Sequence, residues 1–284
     1  MSDADEAAAA LVAHKTWRTV EPLHGMIYFV PEAAEAYARL GITGTAGYFA
    51  SRAAPMGAVS ADVVIATFFN FNPELVRRAI PEAWQRATPA DLIAARFSAV
   101  DAACRRILGD EVVESPEMVR AATLARTAAE EAARHVEGRP LAAGHADIAW
   151  QDEPHLQLWH AQSILREFRG DGHVAQLVIH GLSGLEALVT HAATGDVPAR
   201  ILLATRAWSE EEWQRAVDDL RRRGWLEPGD GLRFTASGAR LRQEIEESTD
   251  SLSVMPYRTL GDEGCSELRA VVRPWSRLFA EHLR

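Results

Sequence analysis

Residues 197–250 read VPARILLATRAWSEEEWQRAVDDLRRRGWLEPGDGLRFTASGARLRQEIEESTD, and the reading of this stretch decides the fold. Pro198 can open a helix, because the first helical position needs no amide donor. Ile201, Leu202 and Ala204 then predict a short helix to Ala207 with one buried side. Ser209 with Glu212 forms a capping box: the hydroxyl accepts from the third helical amide and the carboxylate reaches back. In the helix that follows, Trp213, Val217 and Leu220 fall at i, i+4 and i+7, so one face is apolar. Arg221-Arg222-Arg223 occupies the last turn, where cations suit the helix dipole. Gly224 fits a left-handed cap. Two short runs, Trp225-Leu-Glu and Leu232-Arg-Phe-Thr, flank Pro228-Gly-Asp-Gly and predict a hairpin. A further helix starts at Thr235. Helix, turn, helix, hairpin, helix is the order of a winged helix.

Leu220-Arg-Arg-Arg-Gly-Trp-Leu-Glu, the Gly-Asp-Gly turn and Leu232-Arg-Phe-Thr-Ala-Ser-Gly-Ala-Arg-Leu resemble the wing region of multiple-antibiotic-resistance (MarR-type) regulators. The whole chain is similar to a family of long, MarR-like helix-turn-helix proteins from actinobacteria. That likeness is carried by Gly47-Tyr-Phe-Ala-Ser-Arg-Ala-Ala-Pro-Met-Gly, Phe68-Phe-Asn-Phe-Asn-Pro and Leu165-Arg-Glu-Phe-Arg-Gly-Asp-Gly-His-Val. It implies a winged helix and a transcriptional output, but no mechanism. One departure bears on DNA. The segment Ser209 to Arg223 carries Glu210, Glu211, Glu212, Asp218 and Asp219 against four arginines. Phosphate neutralisation by Lys and Arg supplies non-specific DNA affinity, and three leading carboxylates oppose it.

The net charge of −10 sets the average surface against nucleic acid and anionic membranes. Lys15 is the only lysine, and Cys104 and Cys265 are the only cysteines, giving neither a disulfide framework nor a metal motif. The leader Met1-Ser-Asp-Ala-Asp-Glu is acidic where secretory leaders are basic, and no apolar run reaches 18 residues. A cytoplasmic protein without a membrane span is expected.

The fold class expected is mainly α: a helical N-terminal and central body, plus a C-terminal winged-helix unit with a short β-hairpin wing. The boundaries expected are a helical domain at 1–150, connecting helices with a histidine cluster at 151–196, the winged helix at 197–250 and C-terminal helices at 251–284. Within the body, Pro22 is expected to end the first helix and Pro81 to split residues 73–86 into two short helices. Helices at 89–108 and 116–136 should pair, and 138–154 should be the main loop. Breaks are expected at Gly170-Asp-Gly-His, between helices 155–169 and 174–193. The apolar residues Leu268, Val271, Val272, Trp275, Leu278 and Phe279 on the segment 266–283 predict a dimer-forming face.

Two stretches could carry chemistry. His173, His180 and His191 would share one stripe of an unbroken helix, too far apart to hold one ion together. One of them could join His155, His160 or Glu167 in a metal or haem site; the alternative is histidines packed and hydrogen-bonded between helices. Arg166, Glu167, Arg169 and Asp171 make a charged corner, either an ion-paired interhelical turn or an anion site. Tyr48, Arg52, Phe68, Phe69, Asn70, Phe71 and Trp84 are either core or the wall of an apolar pocket with few polar groups. There Arg52 would grip a carboxylate with both nitrogens. No nucleophile elbow, dinucleotide fingerprint or phosphate loop is present.

The reading favoured is a winged-helix protein that binds a small, planar, acidic ligand in its body and could regulate transcription as a homodimer. The ligand residues expected are Tyr48, Arg52, Phe68, Phe69, Asn70, Trp159, His160, Arg166, His173 and His180. The competing class is an enzyme on a degenerate winged-helix scaffold with a histidine-borne metal or haem. A third is a dimeric interaction protein with neither activity.

Overall fold

A computed structural model describes residues 3–282. Its helices are α1 (Asp3–Gly25), α2 (Pro31–Arg39), α3 (Thr45–Ala53), α4 (Ala61–Phe68), α5 (Pro73–Arg86), α6 (Pro89–Leu108), α7 (Asp110–Val113) and α8 (Pro116–Ala132). They continue as α9 (Pro140–Ala146), α10 (Pro154–Ile179), α11 (Gly184–Ala193), α12 (Ala199–Arg206), α13 (Glu210–Arg222), α14 (Ala236–Ser251), α15 (Val254–Arg258) and α16 (Gly261–His282). The fold is mainly α, and no named strand forms among the described residues.

Three apolar clusters organise these helices. The largest joins α1, α2, α6, α8, the first half of α10, α15 and α16 around Leu23, Met118, Leu158, Phe168 and Phe279. A smaller one joins α3, α4 and α5 through Phe49, Val64, Phe68 and Ile80. The third belongs to α11–α14 and takes Leu177 from the end of α10. Helix α10 is therefore the spine shared by the body and the helix-turn-helix unit.

Several sequence expectations are corrected, and where a helix was expected to break the cause is the same: burial outweighs local breakers. A mid-helix glycine costs about 1 kcal/mol and proline about 3. Helix α10 runs through Gly170 and Gly172 because it packs against α1, α8, α9 and α14. Its break comes ten residues later, at His180-Gly181-Leu182. Helix α1 continues through Pro22 and α5 through Pro81, each burying an apolar face. The expected loop 138–154 contains α9, whose Leu141 and Ala142 amides both donate to Asp171 at 3.0 Å. Helix α8 lies chiefly against α10, whereas α6 packs on α2 and α3. The dimer-forming face expected on 266–283 is covered within the chain. Leu268, Val272 and Phe279 are fully buried beneath α1, α6 and α8, while Leu278 stays exposed; Leu283 lies outside the described residues.

The expected hairpin wing reduces to one antiparallel bridge, Leu226 with Phe234. The Glu227 amide donates to the Arg233 carbonyl at 2.9 Å, and the Thr235 amide to the Trp225 carbonyl at 3.0 Å. The arms are too short for a ladder. On one side a left-handed Gly224 (φ 75°) ends α13, with the Trp225 amide donating to the Leu220 carbonyl. On the other, Thr235 already caps α14. The Ser209–Glu212 capping box forms as the sequence predicts, with amide-to-side-chain distances of 3.2 and 2.9 Å.

Candidate functional site

The site lies where the body meets α11–α14. Helix α4 ends at Phe68, and Phe69 adopts φ 61°, ψ −51°. The Asn70 amide donates back to the Phe68 carbonyl at 2.7 Å, closing a strained γ-turn. Three contacts from the helix-turn-helix unit hold this loop. Gly184 lies so close that a Cβ there would meet the Phe69 carbonyl oxygen at 1.9 Å. The Trp208 indole donates to the Asn70 carbonyl at 3.0 Å, and the Asn72 amide to the Arg206 carbonyl at 3.0 Å.

Behind this loop is a cavity of about 320 Å³, within the ~300–1,000 Å³ common for ligand sites. Tyr48 and Arg52 of α3, Phe68, Phe69, Asn70 and Phe71 of the loop, and Arg166 and His173 of α10 line it together. Of the residues singled out from the sequence, Trp159, His160 and His180 are elsewhere. Trp159 is buried in the body, stacked on His24 with ring centroids 5.9 Å apart. His160 Nε2 lies 2.8 Å from the His145 carbonyl. His180 caps α10, its Nδ1 2.9 Å from the Gln176 carbonyl. Because α10 stops at Ile179, the histidine stripe does not exist: His191 belongs to α11, and it lines the cavity together with His173. Among the described residues, no group of three or more His, Cys, Asp or Glu side chains is placed to hold a metal ion.

The sequence reading missed Trp17, Glu21, Arg206 and Arg242, which also face the cavity. They come from α1, α12 and α14. No local pattern marks residues that only tertiary packing brings together.

The electrostatics turn on the arginines. Arg52 donates through Nε and Nη2 to the two oxygens of Glu167 at 2.9 and 2.8 Å, and Glu167 is fully buried. Arg166 donates to Glu167 at 3.1 Å and to Glu21 at 2.9 Å. Burial alone would raise the Glu167 carboxyl; Arg52 and Arg166 outweigh it and hold it well below the usual carboxylate range. Arg169 pairs with Glu246 and Asp250, and Arg242 with Glu246. Four arginines thus meet four carboxylates, whereas Arg206 has no acidic partner among the described residues and donates through Nη1 to the Thr205 hydroxyl at 2.9 Å. It rests on the Phe71 ring at 4.5 Å, and burial draws its guanidinium below its ordinary value.

Five buried polar atoms with no hydrogen-bond partner belong to this lining: Trp17 Nε1, Glu21 Oε2, Asn70 Oδ1, Arg169 Nε and Arg206 Nε. Buried polar groups are nearly always satisfied, so such a concentration is informative. A larger open groove, about 690 Å³, runs past Ile93, Phe97, Asp101 and Asp147, and no such atom lines it.

On helix α13 the arginines are already engaged. Arg215 pairs with Glu211, Arg221 with Asp218, Arg222 with Asp219 and Arg223 with Glu186 of α11.

The chain belongs to a helix-turn-helix family, whose model matches residues 13–283. That span takes in the body as well as α11–α14, so the cavity between them lies within the family's own unit. No curated protein and no solved structure matches the chain. No helix among the described residues is long and apolar enough to cross a membrane.

Proposed function

We propose that this is a ligand-responsive helix-turn-helix regulator of the winged, MarR-like kind, whose effector is a small planar acid held between body and helix-turn-helix unit. The observation that carries this reading is that five residues with an unsatisfied buried polar atom line one aromatic-walled cavity. An acid would supply the anion that Arg206 lacks. Arg206 replaces Arg52 in this role, because the Nε–Nη2 edge of Arg52 is committed to Glu167 and its Nη1 donates to the Tyr48 hydroxyl. Phe68, Phe71 and Tyr48 give the flat apolar walls, and the Trp17 indole and Asn70 amide can orient the polar edge.

The effector would touch both sides of the junction. Arg206 ends α12, Leu188 and His191 belong to α11, and Phe69–Phe71 belong to the body. A ligand that grips these groups better in one arrangement than another shifts the population of the two, which is the physical content of regulation. DNA contact in this reading depends little on the phosphate attraction of α13, whose cations are neutralised within the chain.

The test is thermal melting of the full chain with a panel of aromatic carboxylates, 2-naphthoate first. A bound acid at a hundredfold excess over its Kd stabilises the fold by about 2.7 kcal/mol. The stabilisation should vanish in Arg206→Met and persist in His160→Ala. A panel with no stabilising member would defeat the reading.

A further inference from the structure

A second cavity, about 520 Å³, adjoins the first. The two share Glu21, Tyr48, Phe71, Arg166 and Arg206 as wall residues, so the Arg206–Phe71 stack stands between them. Their characters differ. Beyond the shared wall, the first carries Arg52, Arg169 and Arg242, two histidines, and Trp17, Asn70 and Arg169 with their unsatisfied polar atoms. Apart from the shared wall, the second is lined by Gly25, Tyr28, Phe29, Thr45, Phe49, Leu75, Ala204, Thr205 and Ala207, with no charged side chain. Phe29 at its rim is 69% exposed, a large apolar side chain left to water beside an apolar hollow.

We infer that the effector is a carboxylic acid with an extended apolar substituent, its carboxylate on Arg206 in the first cavity and its alkyl or aryl-alkyl tail in the second. This rests on the reading above that the first cavity binds an acid, and it names the rest of the molecule. Arg206 faces both cavities, so one carboxylate can sit on its guanidinium while the attached chain passes over Phe71. Burial of the tail against Phe49, Leu75 and Phe71 removes apolar surface on both partners from water. Phe29 can then fold over the tail. The tail would also lie on Ala204 and Ala207, the last turn and cap of α12. Its length, and not the acid alone, would therefore bear on the helix-turn-helix unit.

The experiment uses the full chain and compares phenylacetate, octanoate, decanoate and methyl decanoate by calorimetric titration, each below its micellar range. Affinity should rise from octanoate to decanoate by about tenfold, since each buried methylene contributes ~0.8 kcal/mol and 1.4 kcal/mol is tenfold. Methyl decanoate, which lacks the charge, should bind at least about tenfold more weakly than decanoate. Ala204→Trp fills the second cavity from an exposed helix position. It should abolish the advantage of decanoate while leaving phenylacetate affinity unchanged. Equal binding of phenylacetate and decanoate, or indifference of decanoate to Ala204→Trp, overturns the tail assignment but leaves the acid site standing. Decanoate binding that survives in Arg206→Met overturns the head assignment. Failure of every acid, short or long, removes the underlying reading as well.

Discussion

Arg52 and Glu167 form a two-pronged ion pair inside the molecule, 2.9 and 2.8 Å, linking α3 to the middle of α10. Glu167 has no solvent exposure, and Arg52 is stacked on Phe68 with its guanidinium 4.3 Å from the ring centre. The pair anchors Arg52, which lines the cavity. Removing one partner leaves a buried charge alone, which costs about 3–5 kcal/mol, whereas replacing both with apolar residues is often near neutral. Arg52→Ala should therefore lower the urea midpoint steeply, and Arg52→Met with Glu167→Leu should recover most of the loss. A mild single substitution would show that water reaches Glu167.

Gly184 tests the junction between body and helix-turn-helix unit. A Cβ at this position meets the Phe69 carbonyl oxygen at 1.9 Å and its carbon at 2.8 Å, both backbone atoms that cannot rotate away. Gly184→Ala should destabilise by about 1–3 kcal/mol, the usual cost of overpacking. Amide exchange should report the loss first in α11 and in Phe69–Asn72. A neutral effect would mean that the loop and α11 are not held this closely.

Acid should unfold the protein early. Burial lowers His145 to about 3 and His160 and His173 to about 4, from 6.5. Below pH 6.5 the unfolded chain takes up these three protons and the folded chain does not, so stability present above pH 6.5 is lost as pH falls toward 4. Asp171 opposes this. Burial raises it from 3.8 to about 7, so its contribution is full below 3.8 and disappears as pH rises through 7. From these four groups alone the unfolded state near pH 5 holds about two more protons, a slope of about 2.7 kcal/mol per pH unit, and His24, His155 and His191, also lowered by burial, act in the same direction. Melting temperature should drop sharply between pH 6.5 and 5; a flat profile would mean that these histidines protonate in the folded state.

How much of this was legible in the sequence varies with how local the signal is. The helix-turn-helix segment was readable because its signals are short-range: the Ser209–Glu212 box, the i, i+4, i+7 face of Trp213, Val217 and Leu220, and the glycine at 224. The hairpin wing was over-read, since the same glycine and proline signals serve a bent connection with a single bridge. Helix boundaries were misjudged where burial decides, as at Gly170–Gly172 within α10. For the site, Tyr48, Arg52, Phe68, Phe69, Asn70, Arg166 and His173 line one cavity. His180 does not, because the supposed stripe assumed one helix where the chain has two, and Trp159 and His160 sit earlier on α10, buried against His24 and the His145 carbonyl. Nothing local in the sequence marks Arg206, the last residue of α12. Only its lack of a carboxylate, in a cavity where every other arginine has one, sets it apart.

Generic duplex DNA should bind poorly. Each arginine of α13 and its cap is paired within the chain, and Glu212 is held by the Ser209 amide and hydroxyl. With few free cations to release counterions, a random fluorescent duplex at physiological salt should bind at about 10⁻⁴ M or weaker, with a shallow salt dependence. Tight, steeply salt-dependent binding would place the DNA-contacting surface away from α13.

The account's central claim is that Arg206 receives an acid at the junction of body and helix-turn-helix unit. Calorimetric titration of 2-naphthoate into the full chain and into Arg206→Met tests it most directly. The prediction is a saturable one-site isotherm for the natural chain and no measurable heat of binding for Arg206→Met, with both proteins melting within a few degrees of each other. Binding that is indifferent to Arg206→Met, or a natural chain that binds none of the aromatic acids, would contradict it.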